Sequence, residues 1–348
     1  MNYNLPHVSV LLPVYNGAKY ISDAIESILN QTYENFEFII VEDASTDESK
    51  EIIRSYQDKR IKLVENEINL GQASSMNIGL NISSGKYIAR IDQDDISLPT
   101  RLQKQVEFME NNIEVGVCGT WMEYIGKLSG ILRLETEDSA IKIKLLRDTE
   151  LSHPTVMIRK SILNEHSLRY DSSFSPAEDY CLWTQLSKHC KLGNIGEVLI
   201  QYRIHDLQGS GKDDINNLSQ KNSDRVRKGL IRNLGIEPSS QDIKIHNDVF
   251  FSKNIKRKYL IEYHNWLLRL ISGNVNNNIY NHKEFVDTLK VKWSYIVNQV
   301  SDIDFRMLLI LFSSPLRERA LSFNEFIMLY KKSLRKWHII SKIVLILK

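Results

Sequence analysis

Four times within the first 110 residues, an apolar run of strand length is followed by a polar turn and a segment with helical spacing. VSVLLPV (8–14) leads into AKYISDAIESILNQ, and FEFIIV (36–41) into TDESKEIIRSYQ. IKLVEN leads into GQASSMNIGLNIS, and GKYIARI into LPTRLQKQVEFMEN. Compact runs rich in Val and Ile are strands buried on both faces, while apolar residues three and four apart give helices with one buried side. A strand returning parallel to its predecessor needs a crossover of this length. The crossovers are right-handed, so the order predicts a doubly wound, mostly parallel α/β sheet flanked by helices. Pro99 is read as opening the fourth helix, 99–111, within its first turn, where a missing N–H costs little.

In such sheets a ligand lies beyond the carboxyl ends of the strands. Those ends read VYN, VEDAS, ENEIN and IDQDD. The last places Asp92, Asp94 and Asp95 within four residues, and these repel one another unless a cation or donors sit among them. Taken alone, the cluster is equally a solvated acidic turn; its place at a strand end points to a binding crevice. The turn YNGAKY has one glycine and no GxGxxG, which argues against a nicotinamide or flavin enzyme. ISSGKY lacks the upstream glycine of a phosphate loop and carries Tyr87 where Ser or Thr would hold magnesium. Ile96 and Ser97 stand where a calcium loop needs a third oxygen ligand and a glycine. A carboxylate cluster without a glycine-rich cradle suggests that Mg²⁺ or Mn²⁺ holds the phosphates of a nucleotide.

At 348 residues the chain exceeds a usual single domain, so two units are expected. Its 45 basic and 43 acidic residues leave a net charge of +2, which argues against a nucleic-acid partner. Cys118, Cys181 and Cys190 are odd in number and lack metal-binding spacing, which favours buried thiols in a reducing compartment. MNYNLPHVSVLLPVY has no basic leader and reads as a first strand, and no apolar run approaches the ~18 residues of a membrane span. A cytoplasmic location follows as the expectation.

VSVLLPVYNGAKYISDAIESILNQTYENFEFIIVEDASTD, NEINLGQASSMNIGL and GKYIARIDQDDISLP together resemble family 2 glycosyltransferases of the GT-A fold. SFSPAEDYCLWTQLSKH and GEVLIQYRIHDLQGS resemble the acceptor half of the same enzymes, so the likeness spans 7–211. It implies inverting transfer of a sugar from a nucleotide diphosphate donor, with Mn²⁺ or Mg²⁺ as cofactor. By position, Asp43 would contact the base; a carboxylate suits the N3–H of uracil, and guanine stays open. Its alternative is a helix N-cap, a task Ser45 can do instead. Pro13, Tyr15 and Asn16 would line the base and ribose pocket. Asp94 matches the metal ligand of a DxD pair, with Asp92 toward ribose or metal, Gln93 at the variable position, and Asp95 either supporting the site or capping the next turn.

Asp179 matches the family's catalytic base, with Glu178 and His153 as acceptor-orienting residues. An early-helix carboxylate is the plain alternative for Asp179. His205 matches a position that reaches diphosphate or metal; a structural histidine is equally open. Met76 stands where many relatives carry arginine, and Arg90, on the same strand face as Asp92, is read as a replacement cation.

Past residue 211, GKDDINNLSQKNSDR reads as a polar linker. KYLIEYHNWLLRLI, KEFVDTLKVKWSYIVNQV and FRMLLILF read as helices of a C-terminal appendage, 212–348. Residues 330–348 carry Lys331, Lys332, Arg335, Lys336, Lys342 and Lys348, with Leu334, Trp337, Ile340, Val344 and Leu347 at helical spacing. Such a helix suits an anionic membrane surface or packs on the protein itself. The resemblance adds a saccharide acceptor, polyprenyl-diphosphate-linked in many such enzymes of surface polysaccharide (O-antigen or capsule) synthesis, and peripheral work at the inner membrane face. Two other readings are a non-catalytic sugar-nucleotide-binding protein, which would need no base at 179, and a nucleotidyltransferase, for which PVYNGAKY is a poor fit.

Overall fold

The computed structural model describes residues 7–206, 208, 213–300 and 314–316. The four expected strands are β1 (Val8–Val14), β2 (Phe36–Glu42), β3 (Ile61–Glu65) and β4 (Tyr87–Arg90). The helices between and after them are α1 (Ile21–Leu29), α2 (Ser49–Ser55), α3 (Gln72–Ile82) and α4 (Arg101–Asn111). β1 lies parallel between β2 and β4, and β3 lies parallel outside β2. β2 is buried along its whole length, which is why FEFIIV shows no polar alternation. α1 buries Ile21, Ala24, Ile25 and Ile28 along one stripe. Pro99 precedes α4 instead of opening it: the helix starts at Arg101, and the Pro99 carbonyl accepts from the Thr32 N–H at 2.9 Å.

Beyond β4 the sheet becomes mixed. β8 (Met157–Arg159) runs antiparallel to β4 and to β6 (Val115–Gly126), and β9 (Lys191–Ile204) runs parallel to β6. The short β5 (Ile96–Ser97) pairs antiparallel with β9, and β7 (Gly130–Leu132) with β6. The resulting order is β3-β2-β1-β4-β8-β6-β9-β5, with β7 beside β6. The consequence for function lies in β9: its pairing with β5 brings 201–205 back beside the acidic turn. Helices α5 (Asp138–Lys144), α6 (Lys160–Glu165) and α7 (Glu178–Leu186) complete this part.

The chain divides into two compact units, 1–226 and 227–348. The division falls inside helix α8 (Asp213–Asn233), so the described part of the expected polar linker, 213–225, is helical. The buried positions Asn222, Ser223, Val226, Leu230 and Ile231 recur at helical spacing, but the first two are polar and hide the stripe from a hydrophobicity reading. The second unit contains α9 (Ser240–Phe251), α10 (Leu260–Asn277) and α11 (His282–Gln299). Its core includes Tyr263, Trp266, Leu270, Leu289 and Trp293. α10 and α11 match the expected helices. α9, opened by a capping box between Ser239 and Asp242, was not foreseen. FRMLLILF and 330–348 lie outside the described residues. Among the described residues no helix is long and apolar enough to cross a membrane, and the three cysteines are unpaired.

Candidate active site

The carboxyl ends of β1, β2 and β4 meet the end of β9 and the start of α7 around a cavity of about 900 Å³. Pro13, Tyr15, Asn16, Asp43, Asp92, Asp94, Glu178 and His205 all line it. Of the other predicted residues, Arg90, His153 and Asp179 are not on its wall.

The turn after β1 is stitched to the turn after β2. Asn16 adopts a left-handed conformation (φ 52°), which asparagine tolerates better than most residues. Its N–H donates to Ser45 Oγ (3.0 Å), and its Oδ1 accepts from the Thr46 N–H (2.8 Å). Gly17 and Ala18 donate to Ser49 Oγ and Asp47 Oδ2. Tyr15, 46% exposed, lines the cavity. Gln93 fixes its backbone: Oε1 accepts from the Tyr15 N–H (2.8 Å), and Nε2 donates to the Tyr15 carbonyl (3.0 Å). A Cβ on Gly17 would lie 2.7 Å from the end of the Gln93 side chain, so any larger residue there would push Gln93 aside.

Asp43 is buried and does not cap α2, whose N-cap is Glu48. Its Oδ1 accepts from Asn66 Nδ2 (2.6 Å) and the Leu70 N–H (2.9 Å), and its Oδ2 from the Gly71 N–H (2.8 Å). The carboxylate therefore shapes the 66–71 loop while lining the cavity. A carboxylate has about four acceptor positions, which leaves capacity for one more donor.

In the acidic turn Arg90, 1% exposed, grips Asp92 with both terminal nitrogens, Nη1 at 2.8 Å from Oδ2 and Nη2 on Oδ1. This corrects the expectation that Arg90 offers a free positive charge to a ligand. Residues two apart on a strand share a face, so the guanidinium reaches its neighbouring carboxylate first. Among the described residues, Lys19 is the one lysine or arginine on the cavity wall. Asp94 Oδ2 meets His205 Nε2 at 2.8 Å. Asp95 is fully buried, its Oδ1 accepting from the Arg203 N–H (3.0 Å). Arg203 also donates to the Asp94 carbonyl and to Asp23, and its guanidinium lies 4.7 Å from the Tyr20 ring centre. Burial and the neighbouring aspartates push the Asp94 and Asp95 carboxyls up, Asp95 well up, while His205 pulls Asp94 back. Arg203, with Tyr20 under its guanidinium, forms a bracket on the acidic turn that sequence reasoning missed; its signal is the register of β5 on β9, which no local motif carries.

The donor set fits a divalent ion. Mg²⁺ and Mn²⁺ use one or two protein carboxylates beside phosphate oxygens and water. Asp94 supplies one carboxylate on the wall with His205 adjacent, whereas both Asp92 oxygens already accept from Arg90. Among the described residues no group of three or more side chains forms a preassembled metal cage.

α7 begins at Glu178, so both carboxylates of the second pair sit in its first turn, where the helix dipole favours negative charge. Glu178 is 3% exposed and lines the cavity, and its Oε2 has no hydrogen-bond partner among the described residues. Asp179 accepts from the Tyr180 N–H at 2.7 Å. Burial and the adjacent Glu178 push its carboxyl up to about 7, against the opposing pull of Arg90. His153 meets the Tyr170 hydroxyl at 3.0 Å and stands edge-on to Trp183. Burial, with Arg90 nearby, holds its imidazole well below its ordinary range, so it is neutral at pH 7. Met76 is buried, and the next residue, Asn77, clasps the Tyr170 backbone through N–H (3.0 Å) and carbonyl (2.8 Å).

Comparison with known proteins finds a match of residues 9–167 to the model of glycosyl transferase family 2. A Haemophilus influenzae protein described as an uncharacterized glycosyltransferase is 36% identical over 261 residues, covering 71% of this chain and 79% of its own. Escherichia coli WfgD, a UDP-Glc:alpha-D-GlcNAc-diphosphoundecaprenol beta-1,3-glucosyltransferase, is 33% identical over 200 residues, covering 57% of this chain and 77% of its own. The crystal structure of S. aureus TarS 1-349 in complex with UDP-GlcNAc superposes with a TM-score of 0.54 at 18% identity, covering 83% of this chain and 89% of that one, which shows a shared GT-A fold.

Proposed function

The chain belongs to glycosyltransferase family 2, and on that footing we propose that it moves a sugar, with inversion, from a nucleoside diphosphate donor to a hydroxyl of a saccharide acceptor. The observation that carries this reading is one cavity wall shared by Tyr15 and Asp43, the Asp94–His205 pair and Glu178. Tyr15 offers a stacking face for the base and Asp43 its remaining acceptor capacity, which suits UDP. The similarity to WfgD supports a UDP-sugar and a lipid-linked acceptor, hence surface polysaccharide synthesis at the cytoplasmic face of a membrane.

Asp94, with His205 and Asp92 beside it, would hold Mn²⁺ or Mg²⁺. Such an ion offsets the charge of a departing diphosphate. Lys19 adds a second positive charge on the same wall. Inversion needs a base that takes the acceptor proton as the hydroxyl attacks opposite the leaving group. Asp179 has a carboxyl poised near 7 for that step, and Glu178, with an unpaired buried oxygen on the wall, orients the acceptor hydroxyl. The wall position of Glu178 favours a second reading in which Glu178 itself takes the proton.

A panel of sugar nucleotides assayed with Mn²⁺ and with Mg²⁺ tests the reaction, and transfer or slow hydrolysis of one UDP-sugar is expected. Binding of a sugar nucleotide with no turnover of any would leave a binding protein and sink the transferase reading. Asp179→Asn should lower kcat by ~10²-fold or more while donor affinity holds. If Glu178→Gln does so and Asp179→Asn does not, the roles are exchanged.

A further inference from the structure

The loop that delivers Glu178 and Asp179 is fastened at both ends. Upstream, Asn77 clasps the Tyr170 backbone. The middle is a short turn over 172–174, in which Asp171 accepts from the Ser173 N–H and the Ala177 N–H returns to the Phe174 carbonyl. Ser172, Ser173 and Pro176 are exposed, so apolar burial contributes little to holding this segment. Downstream, the fastening comes from the helix whose sequence reads as a linker. Asn222 Nδ2 donates to the Ser175 carbonyl (2.8 Å), and Arg225 Nη1 donates to the Ser173 carbonyl (2.6 Å) and to Asn222 Oδ1 (3.0 Å). The Arg225 guanidinium covers the Phe174 ring at 3.9 Å.

We propose that α8 positions the acceptor-side carboxylates: Asn222 and Arg225 are positioning residues that clip 173–175 and so set where α7 begins. The proposal rests on the reading of Glu178 and Asp179 as the acceptor-side pair. Three features carry it. Asn222 is a buried amide inside a helix, and a buried amide is kept where its hydrogen bonds are made. The carbonyls it and Arg225 hold lie within five residues of Glu178, with no other element intervening. Ser219, three residues before Asn222 and on the same face of α8, lines the cavity, so the face that clips the loop also bounds the site. Removing the clip leaves the Ser175 carbonyl unpaired and the start of α7 free to shift, and a misplacement of about 1 Å at a reacting group costs up to ~10²-fold in rate.

The full chain with Arg225→Ala, Arg225→Lys or Asn222→Ala tests this by two measurements. In hydrogen–deuterium exchange the segment 171–181 should exchange faster in both alanine variants, with 89–97 unchanged. In steady-state transfer kcat should fall ~10-fold with donor KM within ~2-fold, and Arg225→Lys, which keeps a donor for the Ser173 carbonyl, should recover most of the loss. Arg225 is exposed, so its alanine variant should fold even where Asn222→Ala does not. Unchanged exchange across 171–181 in Arg225→Ala overturns the proposal, as does a rise in donor KM matching the fall in kcat. Faster exchange there, in a chain that turns over no sugar nucleotide, supports the clip and counts against the transferase reading instead.

Discussion

Gln93 shows how a residue with no chemistry of its own fixes the site. Its amide pairs with both backbone groups of Tyr15, as a neighbouring strand would, and so ties the turn after β1 to the acidic turn. Gln93→Leu keeps the bulk and removes both bonds. Donor KM should rise ~10-fold with a smaller change in kcat, since two hydrogen bonds contribute on the order of 1 kcal/mol each. An unchanged donor KM would show that Tyr15 needs no such hold. Asp179 makes a separate prediction through pH. Its carboxyl, pushed up to about 7 by burial and Glu178, must lose its proton to act as a base. Turnover should therefore climb between about pH 6 and about pH 8. The stability sign is opposite. A carboxyl whose folded pKa lies above its unfolded value stabilises the fold at low pH, and that contribution is lost as pH rises through about 7. Asp179→Asn should thus be nearly inactive yet have a higher Tm than the parent at pH 8; a lower Tm there would mean that the carboxylate is held by partners its surroundings do not reveal.

At the scale of elements, the amino ends of the first strands are pinned by one buried acid. Glu37 on β2 accepts from Ser9 Oγ on β1 (2.5 Å) and from the Ser84 N–H and Oγ before β4, and it pairs with Lys62 on β3 (2.5 Å). Burial raises the pKa of this carboxyl, but the bonds from Lys62, Ser9 and Ser84 outweigh it and hold the value at about 2. A depressed folded pKa contributes stability above the ordinary glutamate range, and that contribution is lost as pH falls toward about 2. Thermal unfolding followed between pH 5 and pH 3 should show a Tm loss that Glu37→Gln makes smaller; an equal loss in both chains would assign acid sensitivity elsewhere. The β-α alternation that defines this half was legible because its strands are mostly apolar runs and α1 carries an apolar stripe. α8 was not, because Asn222 and Ser223 occupy buried positions that a hydrophobic pattern reads as exposed. Within the site, motif positions placed Asp43, Asp94 and Glu178 on one wall. Arg90 and Asp92 were legible as neighbours on one strand face, but not that the guanidinium would be buried and spent on that carboxylate; that Arg203 would brace the acidic turn depends on strand register over a long separation.

For the whole molecule, the small net charge conceals a division. Of the 45 basic and 43 acidic residues, 21 and 10 fall in 227–348, so that unit carries +11 and residues 1–226 carry −9. Asymmetry of this size gives the basic part an attraction to anionic surfaces that vesicle binding can test. In the described portion, Lys253, Lys256 and Lys258 are all exposed at the corner between α9 and α10. Six more basic residues lie in 330–348. Each cation near an anionic leaflet adds about 1 kcal/mol, an attraction that fades within a Debye length of about 8 Å at physiological salt. The full chain should therefore sediment with vesicles containing phosphatidylglycerol at low salt, and not with phosphatidylcholine alone. Removing 330–348 should weaken that binding and leave a remainder, which Lys253→Glu, Lys256→Glu and Lys258→Glu together should reduce further. Activity on a lipid-linked acceptor should fall in step, with a short water-soluble acceptor used as before. If the intact chain stays in the supernatant with anionic vesicles at low salt, the surplus of positive charge is solvated, and a lipid-linked acceptor would have to be met without help from this unit.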